Sequence, residues 1–357
     1  MIPNKDKMEY RYLGNTGLKV SALGLGNFVN TGESITLETV KCALENGINY
    51  FDTAEIYGNG EAETSLGKAF KELKVPREKI VVSTKVYKVG DGPNDTFQSR
   101  KHIIEGVRNS LKRLQLDYVD VVFAHRYDMY TPLEETICAY NYLIENGLAF
   151  YWGTSEWTPC QIMEAYKICE RLNLIPPVAE QCFYNMMNRY NMENGYRDLF
   201  KKYKMGTTTF SPLYGGVLSG KYIENASTEG RMNSSKGSRP QKNYLPNKAE
   251  WDEKLLKLKE IGEKKLGCTL AQLAIGWVIA NPDVSVCLLG ASKLSQLEET
   301  VGGLEAYKKL NKEILFEIEE ILKTAPEGET DYRDFKKLPS RRNILLGVVY
   351  PPEPKKE

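Results

Sequence analysis

The stretch 100–125, RKHIIEGVRNSLKRLQLDYVDVVFAH, shows the pattern that decides the fold. Its first part, Arg100–Leu116, is amphipathic, and its apolar residues recur on one helical face: Ile103, Val107, Leu111 and Leu114. The continuous apolar run Tyr118–His125 follows, with the length expected of a strand that is buried on both faces. A helix that leads into such a strand is the repeating unit of a parallel α/β sheet.

The same alternation runs along most of the chain. Eight short apolar or β-branched runs predict strands: Val20–Leu25, Ile48–Thr53, Ile80–Lys85, Tyr118–His125, Phe150–Ser155, Val178–Tyr184, Gly206–Pro212 and Val284–Ala291. Amphipathic stretches predict helices: Thr36–Asn46, Glu61–Leu73, Arg100–Leu116, Leu133–Asn146, Pro159–Leu172, Lys248–Lys265, Leu270–Ala280 and Leu294–Tyr307. Eight parallel strands with helical crossovers favour a closed (β/α)8 TIM barrel over an open doubly wound sheet. We expect a single barrel domain over residues 10–325.

Two segments depart from this alternation. Residues 213–267 separate the last two predicted strands and hold a polar, Gly/Ser-rich section, Asn225–Asn247, before a charged helix. An insertion in a βα loop lies on the ligand-binding face of a barrel, so this one is expected either to cover a ligand or to be a disordered surface loop. The tail, 326–357, has a short apolar run at Asn343–Tyr350, which either packs on the barrel or docks to a partner.

Composition excludes several classes of protein. Lys plus Arg is 48 and Asp plus Glu is 47, so the chain lacks the basic excess of a nucleic-acid-binding protein. No apolar run approaches the ~18 residues of a membrane span, and Met1–Lys7 has no apolar core that would suit a signal peptide. We therefore expect a cytoplasmic protein without membrane insertion or a nucleic-acid partner. Seven cysteines without a Cys-x-x-Cys pair, beside only two histidines, predict buried thiols and no metal site.

Polar residues stand at the ends of three successive predicted strands. Asp52 ends the second, Lys85 the third and His125 the fourth, and Tyr57 follows Asp52 closely. Barrel enzymes place their chemistry at the carboxyl ends of strands. A Lys85 ammonium beside Tyr57 would lower the phenol's pKa and make it a proton donor near neutral pH, while Asp52 would fix the lysine. This set suits the reduction of an aldehyde or ketone, with hydride from a cofactor.

Each of these residues taken alone also has a purely structural interpretation. Asp52 or Lys85 could pair within the barrel, and His125 could be a hydrogen-bonded core histidine. The other histidine, His102, opens a predicted helix and is expected on the surface. Four chemically compatible residues on neighbouring strand ends favour the catalytic interpretation.

The nucleotide site has no Rossmann fingerprint. Gly24-Leu25-Gly26 follows the first strand, but Val29 stands where a third glycine is required. The last strand instead runs into Gly290-Ala291-Ser292-Lys293 and a helix, and barrels often bind phosphate at this place.

Together, these features resemble the aldo-keto reductase superfamily, and within it the branch of voltage-gated potassium channel β subunits. The segments that carry the resemblance are 12–21, 52–57, 99–106, 114–124, 151–155 and 288–292. The likeness covers about residues 10–334. It implies a TIM barrel with NADP(H) as cofactor, a carbonyl substrate and Asp52, Tyr57, Lys85 and His125 as the catalytic tetrad.

The resemblance also assigns cofactor contacts. Ser155 and Gln181, with Asp52 nearby, fall on positions that hold the nicotinamide carboxamide, and Phe210 falls where an aromatic ring stacks on the nicotinamide. A loop over the pyrophosphate is implied at Ser211, Pro212, Leu213, Ser219, Lys221 and Arg231. The adenosine end is implied at Gly290, Ser292, Lys293, Gln296 and Glu299, of which Ser292 and Lys293 suit a 2′-phosphate and favour NADP over NAD. The insertion 213–267 would thus clamp the cofactor.

Several positions differ from the channel-subunit pattern. His125 stands where those proteins typically carry Asn, which favours an active reductase. Asn27 and Phe28 replace Thr-Trp, Phe210 replaces Trp, Glu156 replaces Arg and Thr300 replaces Asn. We keep Asn27, Phe28 and Thr300 among the expected cofactor-binding residues.

Three functional hypotheses follow. The first is an NADPH-dependent aldehyde or ketone reductase. The second is a regulatory subunit that binds NADP(H) and associates, as a homotetramer, with a potassium channel α subunit or another assembly. The third is a barrel that serves only as a scaffold, because fold does not determine function.

Overall fold

The computed structural model describes residues 1–28, 32–223, 243–333 and 335–348. Eight parallel strands close into a barrel: β3 (Leu23–Gly26), β4 (Tyr50–Asp52), β5 (Val81–Val86), β6 (Val119–Ala124), β7 (Ala149–Ser155), β8 (Ala179–Phe183), β9 (Gly206–Phe210) and β10 (Val286–Leu289). They follow chain order around the barrel, and β10 pairs with β3 to close it. The predicted (β/α)8 TIM barrel is confirmed.

An antiparallel hairpin precedes the barrel. It consists of β1 (Tyr10–Tyr12) and β2 (Lys19–Ser21). The sequence predicted one strand over Val20–Leu25, and this was wrong, because the chain leaves the hairpin at Ser21 and starts the barrel at Leu23. Leu13 and Val20 pack with the barrel's interior residues: Tyr50, Val81, Val121, Phe123, Ala179, Val286 and Leu288. The hairpin therefore completes the core at the end where the strands begin.

The described residues form twelve α-helices; those at Arg197–Tyr203, Lys312–Leu322 and Arg341–Leu346 were not predicted, and most of the others begin and end close to the predicted limits. In chain order they are α1 (Glu33–Glu45), α2 (Glu61–Glu72), α3 (Arg100–Leu114), α4 (Leu133–Glu145), α5 (Pro159–Leu172), α6 (Arg197–Tyr203), α7 (Lys248–Ile261), α8 (Leu270–Ile279), α9 (Leu294–Thr300), α10 (Gly303–Lys309), α11 (Lys312–Leu322) and α12 (Arg341–Leu346). The single helix expected at Leu294–Tyr307 was wrong, because the chain turns at Val301-Gly302. Within the described residues, no helix is long and apolar enough to cross a membrane.

The chain divides into two compact units. The first comprises Met1–Phe183, Asp198–Phe210 and Val284–Val301, and it contains all eight barrel strands. The second comprises Tyr184–Arg197, Ser211–Asp283 and Gly302–Glu357. Most of the polar section Asn225–Asn247 lies outside the described residues. The limits predicted for the barrel domain, 10–325, stay a prediction.

A buried ionic cluster holds the second unit together. Arg189 donates to Glu193 and to Glu319, each at 2.7 Å, and all three side chains are almost fully buried. Ser340, at the start of α12, donates to Glu193 at 2.8 Å, and the Arg342 guanidinium lies 4.0 Å from the centre of a buried tryptophan ring. The described part of the tail is therefore anchored within its own unit.

Candidate active site

The four residues of the predicted tetrad meet at the carboxyl ends of neighbouring barrel strands. Asp52 is the last residue of β4, Lys85 lies near the end of β5, and His125 directly follows β6. Tyr57 begins a short 3-10 turn a few residues beyond Asp52. Because parallel barrel strands all end at one mouth, their register brings together side chains that are far apart in sequence.

A buried ion pair forms the base of this cluster. Lys85 Nζ donates to Asp52 Oδ2 at 2.6 Å and to the Thr53 carbonyl at 2.7 Å. The Lys85 side chain is 0% exposed and that of Asp52 is 4% exposed. Burial is the largest single influence and lowers the pKa of Lys85, but the charge of Asp52, the neighbouring Tyr57 and the hydrogen bonds to both together outweigh it, and the net pKa is raised. Lys85 therefore carries its charge at neutral pH.

Asp52 has further partners that fix its orientation. Its Oδ1 accepts from Ser83 Oγ at 2.7 Å and from Gln181 Nε2 at 3.0 Å. Gln181 also donates to Thr208 Oγ1 at 3.1 Å. The carboxylate thus links side chains from β4, β5 and β8 across the barrel.

The Tyr57 ring lies over this pair. Lys85 Nζ is 5.0 Å from the centre of the ring. Lys85 lowers the pKa of Tyr57, as expected, but the expected net fall in that pKa was wrong. Burial raises the pKa of Tyr57 above 10.0, and the Lys85 charge lowers it by less than burial raises it. Tyr57 is therefore protonated at neutral pH.

His125 completes the cluster as a neutral imidazole. Its ring packs edge-on against Tyr57, with the ring centres 6.0 Å apart. Burial, together with the charges of Lys85 and Arg126, lowers its pKa to about 2. The residue is only 8% exposed, yet its Nδ1 has no hydrogen-bond partner among the described residues. An unpaired buried nitrogen is costly unless a ligand satisfies it.

Three further predicted residues stand on the next strand ends. Ser155 ends β7, Gln181 lies in β8, and Phe210 ends β9. Ser155 Oγ donates to the Gln181 carbonyl at 3.1 Å, and the Phe210 ring packs against Phe183 with centres 5.3 Å apart. A hydroxyl, a primary amide and an aromatic ring are the groups that a nicotinamide carboxamide and its ring would contact, so this set fits a nicotinamide cofactor.

Arg126 also contacts this site, although it was not predicted from the sequence. Its Nη1 donates to Ser155 Oγ at 3.2 Å and also to the His125 carbonyl. The guanidinium lowers the pKa values of both His125 and Tyr57. Its position directly after His125, at the end of a predicted strand, was the available signal.

Asn27 and Phe28 follow β3 at the same mouth. Asn27 is buried and donates to the Ala62 carbonyl at 2.7 Å, while its Oδ1 has no partner within the described part of the chain. Phe28 is 58% exposed, and its ring packs edge-on against the Tyr57 ring, with the ring centres 4.9 Å apart.

The predicted adenosine end lies after β10. Gly290, Ser292, Lys293 and Glu299 are exposed. Gln296 Oε1 accepts from the Ser292 main-chain nitrogen at 2.8 Å, and Thr300 is buried with its hydroxyl donating to the Gln296 carbonyl at 2.7 Å. In this structure the Gln296 side chain accepts hydrogen bonds from Ser292, and the Thr300 hydroxyl donates to a carbonyl of its own helix.

The predicted pyrophosphate residues belong to the second unit. Pro212 is buried, while Ser211, Leu213 and Ser219 are half-buried and Lys221 is exposed. Ser211 has a left-handed backbone (φ 56°), and Ser219 Oγ donates to the Gly216 carbonyl at 2.7 Å. Arg231 lies outside the described residues.

One expectation about the other histidine was wrong. His102 is only 3% exposed, and its Nε2 donates to Glu55 Oε1 at 2.9 Å. The amphipathic pattern of α3 placed it at a helix start, where exposure is usual, but the buried carboxyl of Glu55 gives it a partner inside the protein.

Comparisons with known proteins agree with this geometry. The model of the aldo/keto reductase family matches residues 22–323. A protein of Arabidopsis thaliana described as a probable voltage-gated potassium channel subunit beta is 43% identical over 333 residues, covering 91% of this chain and 100% of that protein. One of Oryza sativa subsp. japonica with the same description is 43% identical over 336 residues, with the same coverage. The chain therefore belongs to the aldo/keto reductase family of oxidoreductases.

Proposed function

We propose that this protein reduces aldehydes or ketones to alcohols with NADPH, and that Tyr57 donates the proton. The observation that carries the proposal is the cluster of a charged, buried Lys85–Asp52 pair, a protonated Tyr57 and a neutral His125 whose Nδ1 has no hydrogen-bond partner within the described part of the chain. A purely structural pair would require neither the phenol beside the ammonium nor the unpaired imidazole nitrogen.

The chemistry divides between these residues. When bound, a nicotinamide cofactor would supply the hydride that reduces the carbonyl carbon, and the electron pair of the C=O bond would pass to the oxygen. Tyr57 gives its proton to that oxygen. Burial keeps Tyr57 protonated until then, while the Lys85 ammonium stabilises the phenolate that the transfer leaves behind. Proton uptake from solvent restores the phenol.

His125 orients the substrate in this proposal. Since the imidazole is neutral, one ring nitrogen carries a hydrogen that can donate to the carbonyl oxygen. Its ring is held by Tyr57, so both donors can converge on one acceptor. Tyr57 and His125 would also disfavour a carbonyl group whose oxygen points away from these two donors.

Ser155, Gln181 and Phe210 hold the nicotinamide end in this proposal. Ser292 and Lys293 are exposed beyond β10 and would contact a 2′-phosphate, which favours NADPH over NADH. Lys293→Ala is expected to weaken NADPH binding and to leave NADH binding nearly unchanged, as measured by fluorescence titration. Equal weakening of both would contradict the assigned preference.

The decisive test is Tyr57→Phe. We expect turnover of a simple aldehyde to fall roughly 100- to 10,000-fold, the usual contribution of a general acid, while NADPH titration stays unchanged. Tyr12→Phe, at an exposed position in the first strand of the hairpin, is the matched control and should leave turnover unchanged. Unchanged turnover in Tyr57→Phe would refute the mechanism.

A second candidate function rests on the relatives that are described as potassium channel β subunits and covered over their full length. As such a subunit, the protein would bind NADP(H) and assemble as a homotetramer on a channel α subunit. Size-exclusion chromatography with light scattering, and co-purification with a plant potassium channel, test this. A monomer that does not bind the channel would contradict it, and NADPH binding without turnover would favour it.

A further inference from the structure

A buried carboxyl–imidazole pair lies beside the tetrad without being part of it. Glu55 is 0% exposed and His102 is 3% exposed, and His102 Nε2 donates to Glu55 Oε1 at 2.9 Å. The same Oε1 accepts from the main-chain nitrogen of Tyr87 at 2.6 Å. One carboxyl oxygen therefore joins α3 to the residue that follows β5.

Tyr87 is the next link toward the chemistry. Its ring packs edge-on against the His125 ring, with centres 5.6 Å apart, on top of the contact that His125 makes with Tyr57. Phe97 donates its main-chain nitrogen to the Tyr87 carbonyl at 2.7 Å and packs its ring on that of Tyr87. The position of the Tyr87 backbone thus determines where the Tyr87 ring lies, and that ring packs against one side of the His125 imidazole.

We propose that Glu55 and His102 are positioning residues that orient the His125 imidazole through the backbone of Tyr87. The inference rests on the proposed function, because it assigns the pair a part in holding the substrate carbonyl. If His125 rotated away, its hydrogen bond to the carbonyl oxygen would be misaligned, and misplacement by about 1 Å can cost up to roughly 100-fold in rate.

The start of β5, the strand that ends just before Tyr87, offers a matched control. Asp120 is also buried, and its Oδ2 accepts from the Val82 main-chain nitrogen at 2.7 Å and from Arg77 at 2.6 Å. It thus ties down the start of β5 as Glu55 ties down the residue after its end. Removing either carboxyl breaks the same kinds of bond, but only Glu55 leads to His125.

The test compares Glu55→Ala, Glu55→Gln and Asp120→Ala in the full chain. The sequence has two histidines, so nitrogen-15 spectra of the imidazoles show two sets of signals, and His125→Gln identifies its set by loss. In Glu55→Ala we expect the His125 signals to shift and kcat/KM to fall about 10- to 100-fold. Glu55→Gln keeps the acceptor oxygen and should stay close to wild type, as should Asp120→Ala in both readouts.

A steric variant covers the case in which Glu55→Ala does not fold. A β-carbon at Gly106 would lie 3.0 Å from Glu55 Oε2 and 3.4 Å from Val86, so Gly106→Ala pushes on the carboxyl without removing it. It should shift the His125 signals in the same direction.

Unmoved His125 signals in folded Glu55→Ala or Gly106→Ala would overturn the inference. An equal shift in Asp120→Ala would do so too, since it would point to general destabilisation. Absence of any carbonyl turnover in the wild-type protein would refute the proposed function instead, and the spectra would still decide whether the pair positions His125.

Discussion

Removing one partner of the Lys85–Asp52 pair should lower the free energy of unfolding much more than replacing both partners. In Lys85→Met the carboxylate of Asp52 stays buried with Ser83 and Gln181 as partners but without its counter-charge. The Thr53 carbonyl also loses its donor. Since neither charged side chain is more than 4% exposed, solvent screens the pair little, and removing one partner of such a pair costs about 3–5 kcal/mol.

The double variant Asp52→Asn/Lys85→Met removes the stranded charge. The amide oxygen at position 52 can still accept from Ser83, so we expect the free energy of unfolding to fall by only about 1–2 kcal/mol. The pKa of Lys85 is raised in the folded state. The contribution of its charge to stability is therefore fully present below its ordinary pKa of 10.5 and is lost as the pH rises through the raised value.

Urea unfolding at pH 7 measures both changes, with tryptophan fluorescence and circular dichroism as probes. Coincident transitions are required before free energies of unfolding are compared, because a chain with two compact units can unfold in steps. A loss below about 1 kcal/mol in Lys85→Met would show that the pair is screened or relaxes. A double variant as unstable as the single one would show that lost packing, rather than the stranded charge, dominates. Either result would refute the reasoning.

Three further outcomes are expected. The pH profile of kcat/KM should show no step from His125 between pH 5 and 8, because its pKa lies near 2; a step that disappears in His125→Gln would contradict this. Arg189→Met removes the ion-pair partner of buried Glu319 and leaves buried Glu193 with the more distant Arg342, at 3.9 Å, so it should lower the free energy of unfolding by about 3–5 kcal/mol, whereas Lys257→Met, in an exposed pair, should leave urea unfolding unchanged. Gly14→Ala should prevent normal folding, as judged by circular dichroism, since its backbone is left-handed (φ +57°) and a β-carbon would lie 2.2 Å from the Gly206 nitrogen; a normally folded variant would contradict this.

The barrel and the meeting of the tetrad could be predicted because both follow from local patterns. Runs buried on both faces identify parallel strands, and parallel strands in a closed barrel all end at one mouth. Asp52, Lys85 and His125 close such runs, so the sequence alone brought them together. The same reasoning missed the break at Ala22, because Val20–Leu25 is one short, mostly apolar run that spans the end of the hairpin and the start of the barrel.

The sequence by itself thus determined which residues face the barrel mouth, since strand periodicity and position are encoded locally. Tertiary structure alone decided their chemical state. Tyr57 stays protonated and His125 neutral because burial by distant segments outweighs or adds to the effect of neighbouring charges. His102 is buried because Glu55 lies opposite it in space, 47 residues away in the chain. Desolvation and long-range partners depend on which segments pack together, and no local pattern records them.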